Sequence, residues 1–409
     1  MMRRWMGAAV VAGWLGLGTA AHAQYLPSPV GAARIMPEPL PCGPGGGPPP
    51  APAPNLVPGP LNPAEAPPGP CNDLSLPADH ASAFQCENFP PECAFYVNVG
   101  AMALQRQQLG AGAVALVDNG SMGLDTGLPG MDNALLAQRF KDVVPGMNWG
   151  LRGTVGWLFG DRAIELSGFT IFQRAASQEV DAPGLLNLFF TNPPLGFEGD
   201  NGLWLQADRV ITTFQSRLSN AELNYRCWDT GIRGFEFIAG VRYMDQQEKL
   251  SIFTDDDGLV LQGQGLPDDP KRAATYSVAT RNHIVAPQLG IDYGAPLLRW
   301  LSFGFDGKAG IGPNWVNTNI ALDRGDGFHG FNVHHNHVGV SEVFEVGGFL
   351  DFHLMERLRL RGGYQAFWLT NIATSQDQVD FNLANTGGRK NYTGSTFYHG
   401  PMVELQFLF

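Results

Sequence analysis

From Phe95 onward, the sequence consists of segments in which apolar and polar residues alternate with a period of two. In the clearest segment, Met147–Trp157, the odd positions are apolar or glycine and the even positions are polar or glycine. Leu301–Ile311 and Leu358–Trp368 repeat this pattern. A period of two indicates a strand with one face in apolar surroundings. The sequence therefore predicts an all-β protein.

The last strand of this kind reaches the final residue of the sequence. Val403, Leu405, Phe407 and Phe409 share one face of it. Transmembrane β-barrels are built from amphipathic strands of this type, and we expect Phe407 and Phe409 to form an assembly signal read by the barrel assembly machinery. A soluble β-sandwich that ends on a strand is the alternative.

The first 23 residues have the three parts of a secretory signal peptide. Arg3 and Arg4 are followed by the apolar stretch Ala8–Ala21 and by the small-residue site Ala21-His22-Ala23. The stretch is short for a spanning helix, which needs about 20 residues. We therefore predict cleavage before Gln24.

The composition favours a membrane protein that crosses the bilayer with strands. Charged residues make up 16% of the chain, below the roughly 25% of soluble domains. No second run of 18 apolar residues follows the signal peptide, so a spanning fold would have to be a closed barrel. The net charge of −12 argues against binding to nucleic acid. We expect outer-membrane lipid as the surroundings, the bacterial outer membrane as the location, and no cofactor.

Two further segments complete the predicted organisation. Residues 24–93 are rich in proline and glycine and carry four of the five cysteines (Cys42, Cys71, Cys86 and Cys93). This composition predicts a disordered periplasmic linker. It is either a passive tether or a spacer that contacts peptidoglycan or another envelope protein. Two disulfides are plausible there, with the pairing left open. Residues 94–409 form the predicted barrel.

Short and long connections alternate along the barrel, as in outer-membrane barrels with short periplasmic turns and long outer loops. This alternation predicts ten antiparallel strands with both ends in the periplasm. They lie near residues 95–105, 147–158, 162–173, 208–227, 235–248, 276–293, 299–316, 340–354, 357–370 and 396–409. Pro287 and Pro401 each remove a ladder donor, so we expect a bulge or a local strand end there.

If the apolar faces look outward, fourteen charged residues line the lumen. They are Arg152, Glu165, Glu222, Arg226, Glu236, Arg242, Asp292, Asp306, Lys308, Glu345, Asp351, Arg359, Arg361 and Glu404. Eight acids face six bases, which favours ion pairs across the barrel, because charges in a closed space must be paired or hydrated. We predict a polar plug with a structural or surface role. The alternative is a narrow diffusion pore, with inward glycines such as Gly156 and Gly304 leaving gaps for solutes.

Several segments together are similar to one protein family. They are Asn220–Arg226, Gly240–Tyr243, Gln288–Gly290, Lys308–Gly310 and Gly362–Gln365. As a set, they resemble the planctomycete outer-membrane β-barrel family, which is related to a Legionella-type barrel family. The resemblance spans residues 95–409 and leaves out the proline-rich segment. It implies a secreted outer-membrane barrel and assigns no catalytic residues.

Histidines give the remaining candidate sites. His334, His335 and His337 stand close together in an expected outer loop, where imidazoles could bind zinc, copper or nickel. A solvated polar loop is the favoured interpretation. His283, His353 and His399 lie on or near strands, as a hydrolase at the lipid interface would require, but no serine stands in a G-x-S-x-G motif. We expect no enzymatic activity.

Overall fold

The computed structural model describes residues 95–118, 134–197, 203–228, 230, 234–256, 269–386 and 394–409. The predicted signal peptide and linker, with their four cysteines, lie outside these residues. Twelve strands occur in the described part of the chain: β1 (Phe95–Arg106), β2 (Ala113–Asp118), β3 (Ala134–Arg139), β4 (Met147–Phe159), β5 (Arg162–Leu188), β6 (Ala207–Cys227), β7 (Phe235–Asp255), β8 (Ala273–Leu298), β9 (Leu301–Arg324), β10 (His329–Met355), β11 (Leu358–Ile372) and β12 (Gly394–Leu408). Within the same residues, three short 3-10 helices, Phe140–Asp142, Pro270–Arg272 and Leu383–Asn385, lie in the connections. None of the helices in these described ranges is long and apolar enough to span a membrane.

Ten of these strands close into an antiparallel ring. β1 pairs with β12 on one side and with β4 on the other, and the pairings continue through β11, β10, β9, β8, β7, β6 and β5 back to β4. The β5–β6 pairing closes the ring. The remaining strands, β2 and β3, form a hairpin that adds to the end of β5 through β2. The predicted all-β antiparallel architecture is confirmed.

The two ends of the ring differ in their connections. At the short-turn end, where Phe95 lies, the strands are joined by short connections, whose described residues are 160–161, 228, 230, 234, 299–300 and 356–357. There the Phe409 ring stacks on the Phe95 ring with 4.8 Å between centroids. At the opposite, long-loop end lie the hairpin β2–β3 and the described residues of three longer connections, 189–197 with 203–206, 256 with 269–272, and 373–386.

Several strands run further toward the long-loop end than the sequence predicted. β5 continues to Leu188 and β7 to Asp255, and β9 and β10 meet at a tight turn over residues 325–328. The long loops expected between the predicted strands 162–173 and 208–227, 235–248 and 276–293, and 299–316 and 340–354 are therefore wrong over much of their length. In the exposed turn, Arg324 donates to both carboxylate oxygens of Asp326 at 2.9 Å, which lowers the pKa of Asp326 to about 2.

Each proline interrupts the ladder on one side only. Pro287 pairs with Val241 of β7, whereas the pairing with β9 stops at Ile284 and resumes at Gln288. Pro401 pairs with Tyr364 of β11. The expected bulge or strand end is wrong at both positions. Both strands stay continuous without a register shift there, because the missing N–H affects one neighbour alone.

The outer face of the ring has two zones. Toward the short-turn end, all ten strands expose apolar side chains, which we call the apolar belt. One member from each strand is given in the set Val99, Leu151, Leu166, Leu223, Val241, Leu289, Ile311, Val346, Tyr364 and Val403. Toward the long-loop end, the outward positions become polar, for example Ser177, Thr213, Lys249, Ser277 and Asn319.

Candidate functional site in the ring interior

The fourteen charged residues expected in the lumen lie on inward-facing positions of the ring strands. Twelve of them are buried, and the side chains of the other two, Arg152 and Arg361, are 16% and 19% exposed. They occupy the half of the interior near the short-turn end, behind the apolar belt. Twelve of the fourteen, all except Asp306 and Arg359, fall into three groups of ion pairs.

The first group is centred on Arg226. Its guanidinium contacts Glu165 at 2.9 Å, Glu236 at 2.8 Å and Asp292 at 2.6 Å. The Tyr96 hydroxyl donates to Glu165 at 2.6 Å. One cation thus holds three carboxylates from β5, β7 and β8, and hydrogen bonds to ionised groups are the strong ones in an interior.

The second group is built around two glutamates. Glu222 accepts from Arg242 at 2.7 Å and from Lys308 at 3.0 Å. Glu345 accepts from Arg242 and, at 3.4 Å, from Lys308. Gln288 also donates to Glu222 at 2.9 Å. Each carboxylate therefore faces two cations, and these contacts link β6, β7, β9 and β10 across the ring.

The third group consists of two ion pairs, one between β11 and β10 and one between β4 and β12, which lie on either side of β1. Arg361 binds Asp351 through two parallel hydrogen bonds of 2.8 and 2.9 Å and lies 3.7 Å above the ring of Phe349. Arg152 contacts Glu404 at 2.6 Å. Bidentate arginine–carboxylate pairs fix geometry as well as charge, so this group holds the wall of the ring in register.

The inward glycines do not leave gaps. A Cβ atom on Gly156 would overlap the ring of Tyr96, and one on Gly304 would overlap the ring of Phe349. These glycines are the places where large neighbouring side chains pack against the backbone. The prediction that the glycine-lined faces give passage to solutes is therefore wrong at these positions.

Beyond the charged groups, an apolar layer crosses the interior, which we call the lower apolar layer. Eight of the ten ring strands contribute to it, and its members include Met102, Phe169, Leu218, Met244, Ile284, Val343, Phe367 and Met402. The rings of Phe169 and Phe367, on different strands, lie 5.1 Å apart. Such close-packed side chains fill the inside of a small barrel.

Above this layer lies a polar level that anchors residues 373–376 of the β11–β12 connection inside the ring. The Ser375 N–H and hydroxyl donate to Glu248 at 3.0 and 2.9 Å, and Arg106 contacts the same carboxylate at 3.0 Å. Asn282 exchanges two hydrogen bonds with the Ala373 backbone. Thr374 and Ser375 are fully buried. Sequence reasoning missed this segment, because its polar residues suggest a solvated loop.

A second apolar cluster, the upper apolar core, fills the interior at the long-loop end. It includes Phe190, Trp204, Phe214, Leu250, Ile252, Tyr276, Val278, Ile320, Leu322 and Leu383. Phe190 packs its ring against Trp204 at 4.7 Å and Tyr276 at 4.9 Å. Residues 189–197, 203–206 and 373–386 of the connections supply part of this core. The interior therefore alternates between charged, apolar, polar and apolar levels.

The histidine-rich segment is a strand. His334, His335 and His337 belong to β10, where His334 faces outward and His335 and His337 face inward. Because alternate residues of a strand point to opposite faces, the three imidazoles do not converge. In the described ranges, no group of three or more candidate ligands could hold a metal ion. The expectation of an outer loop at this segment is wrong.

The other three histidines have polar partners. Nδ1 of His283 contacts the Tyr243 hydroxyl at 2.8 Å and Asp245 at 3.2 Å. His399 is bonded to the Tyr364 hydroxyl. The His353 side chain contacts the Ser302 hydroxyl at 3.2 Å near the short-turn end. The expectation of no enzymatic activity stays a prediction.

Comparisons with known proteins leave the family open. No family model matches the sequence, and no curated protein matches it. The resemblance to the planctomycete barrels therefore stays a prediction.

Among solved structures, the chain is similar to the outer-membrane protease OmpT of Escherichia coli, with 12% identity, a TM-score of 0.39, and coverage of 77% of this chain and 97% of that chain. It is also similar to the toluene transporter TodX of P. putida, with 11% identity, a TM-score of 0.31, and coverage of 78% and 91%. CarO2 of Acinetobacter baumannii has 13% identity, a TM-score of 0.23, and coverage of 77% and 99%. Likeness at these TM-scores carries no argument about this chain.

Proposed function

We propose that the chain is a bacterial outer-membrane β-barrel with a closed interior and a structural or surface-interaction role in the cell envelope. The observation that carries the proposal is the filling of the ring. Two apolar clusters cross the interior above a paired charged zone. A continuous water-filled path, which a diffusion pore needs, has no room in this arrangement.

The membrane placement is supported by the outer face. The apolar belt runs around all ten strands, whereas soluble monomers rarely expose contiguous apolar patches larger than a few hundred Å². Behind the belt the interior is charged, and this outward-apolar, inward-polar alternation is that of outer-membrane barrels. A closed ring also satisfies its backbone hydrogen bonds internally, as a bilayer demands.

A surface role is supported by the part of the ring beyond the belt. There the strands continue with a polar outer face and an apolar interior, which is the pattern of a domain in water. The ion pairs near the short-turn end give rigidity, since Arg226, Arg242, Lys308, Arg152 and Arg361 each hold at least one carboxylate of another strand. We also propose that the barrel assembly machinery inserts the chain, with Phe407 and Phe409 in the recognised strand. The linker of residues 24–93 is proposed to reach toward peptidoglycan or another envelope protein.

Purified chain in planar lipid bilayers should give no steady single-channel steps, because both apolar clusters block the interior. The recording should include the double variant Phe169→Ala/Phe367→Ala, which thins the lower apolar layer. Brief openings are expected to be more frequent in this variant than in the wild type. Val241→Ala, on the outer face of β7, is the matched control and should stay silent.

The opposite outcome is a wild-type chain that conducts ions. Steady, ion-selective steps of the wild-type chain would refute a closed interior and support the narrow pore. In that case the charged residues near the short-turn end would line the path. The balance of acids and bases along the path would set its ion selectivity.

A further inference from the structure

A groove lies on the outer face of the ring, directly beyond the apolar belt, and its lining comes from β5 and from β7–β10. Its volume is about 580 Å³. The outward side chains that line it include Gln247, Lys249, Arg281, Asn317, Asn319 and Asn336. On β9 and β10, Asn317 and Asn336 stand two residues from Trp315 and Val338, which are exposed members of the belt. The groove and the belt are thus continuous.

The charge in and beside the groove is positive. Lys249 is exposed, and no ion pair joins it to another described residue. Arg217 pairs in register with Gln247, and its buried Nε has no hydrogen-bond partner in the described part of the chain. The nearby carboxylates are already engaged. Asp245 is fully buried under Arg281, at 2.9 Å, and Glu248 turns inward to Arg106.

The remaining lining is mainly carboxamide. Asparagine and glutamine side chains both donate and accept hydrogen bonds, which suits the hydroxyl groups of a sugar. Arginine and lysine bind phosphate oxygens through charge-assisted hydrogen bonds. A ligand that combines phosphates, sugar hydroxyls and acyl chains would match the cations, the amides and the belt at the same time.

We infer that this groove binds the phosphorylated sugar headgroup of a glycolipid in the leaflet around the long-loop side of the belt. The acyl chains lie against the belt next to Trp315 and Val338, and the phosphates face Arg217 and Lys249. Arg281 neutralises the charge of Asp245 and lines the groove beside the headgroup. This inference rests on the membrane placement proposed above.

The test titrates the full chain in detergent micelles with diphosphoryl lipid A and measures bound lipid by native mass spectrometry. The double variant Arg217→Gln/Lys249→Gln should bind about 25-fold more weakly, since each cation near a membrane surface contributes about fivefold to the binding of anionic lipid. The matched control is Arg209→Gln/Arg272→Gln. These two cations pair with Asp181 and Asp256 outside the groove, and their loss should leave the affinity unchanged.

Three results would overturn the inference. Unchanged affinity in the Arg217/Lys249 variant, or equal wild-type affinity for lipid A stripped of its phosphates, would show that the groove does not read the headgroup. Competition by inorganic phosphate at equal concentration would identify a soluble anion as the ligand instead.

The same preparations separate this inference from the proposed membrane placement. A folded wild-type chain that stays monomeric in buffer without detergent would sink both. A chain that needs detergent but fails the lipid titration would sink the headgroup inference alone. Heat-modifiable gel mobility of each variant reports that the ring is intact.

Discussion

Arg226→Gln should lower the free energy of unfolding by about 3–5 kcal/mol, the cost of removing one partner from a buried ion pair. Arg226 faces Glu165, Glu236 and Asp292 at 2.9 Å or less, so its loss leaves three carboxylates in the interior without their shared cation. Glutamine keeps a similar length but can compensate no charge. Urea unfolding in detergent micelles, followed by tryptophan fluorescence, measures the change.

Arg209→Gln is the matched control on the same strand. Arg209 pairs with Glu179 and Asp181 on the outer face, where the carboxylates are 48% and 42% exposed, and exposed pairs contribute little. Adding Glu236→Gln and Asp292→Asn to the Arg226 variant should recover part of the lost stability, because two of the stranded charges disappear. If the Arg226 variant were as stable as the control, the charged zone would not hold the ring together.

The alternating pattern predicted the ring strands well where one face meets the belt. Met147–Trp157 became β4, with its odd residues outward and its even residues inward, as expected. In this zone, the polarity of a residue predicts the face of the strand on which it lies, since apolar side chains lie outside and charged ones inside. The fourteen charged residues could therefore be assigned to the inner face from the sequence.

The same rule fails beyond the belt, because the two faces exchange character. On the inner face of β7, Arg242 is followed by Met244, then by Glu248, and then by Leu250 in the upper apolar core. The outward positions of this stretch, such as Lys249, are polar. The assumption that apolar residues face lipid therefore assigns these positions to the wrong face of the strand. For this reason the strands were predicted too short.

Other features have no local signal at all. Between His334 and His337, both faces of β10 carry polar residues, histidine or asparagine. The alternation of apolar and polar residues that indicates a strand is therefore absent from this segment. The burial of Ser375 depends on Glu248, 127 residues away. The Tyr243–His283–Asp245 cluster is likewise assembled by the register of β7 and β8. Contacts of this kind follow from the pairing of strands, which the sequence of one strand does not specify.

Leu289→Arg should cost about 2–4 kcal/mol, the penalty for a basic side chain at the bilayer midplane on the lipid face of a barrel. Leu289 is 60% exposed and stands midway along the belt on β8, between Val285 and Tyr293. In water, an exposed leucine on a strand would tolerate arginine with little change. The substitution therefore distinguishes a membrane barrel from a soluble β-protein by the size of a single effect.

Ser277→Arg is the matched control, since it lies on the same outward face of β8 beyond the belt and pairs with Ser251 and Ala321. Its stability should stay within about 0.5 kcal/mol of the wild type, as for ordinary surface substitutions. Both variants are refolded into phospholipid vesicles, and their stabilities are compared by denaturant titration. Equal, small effects at the two positions would mean that no lipid contacts Leu289. Both substitutions introduce an arginine on the outer face of β8, and the two positions differ mainly in their height along the ring. A large loss of stability at Leu289 alone therefore requires an apolar solvent around the belt.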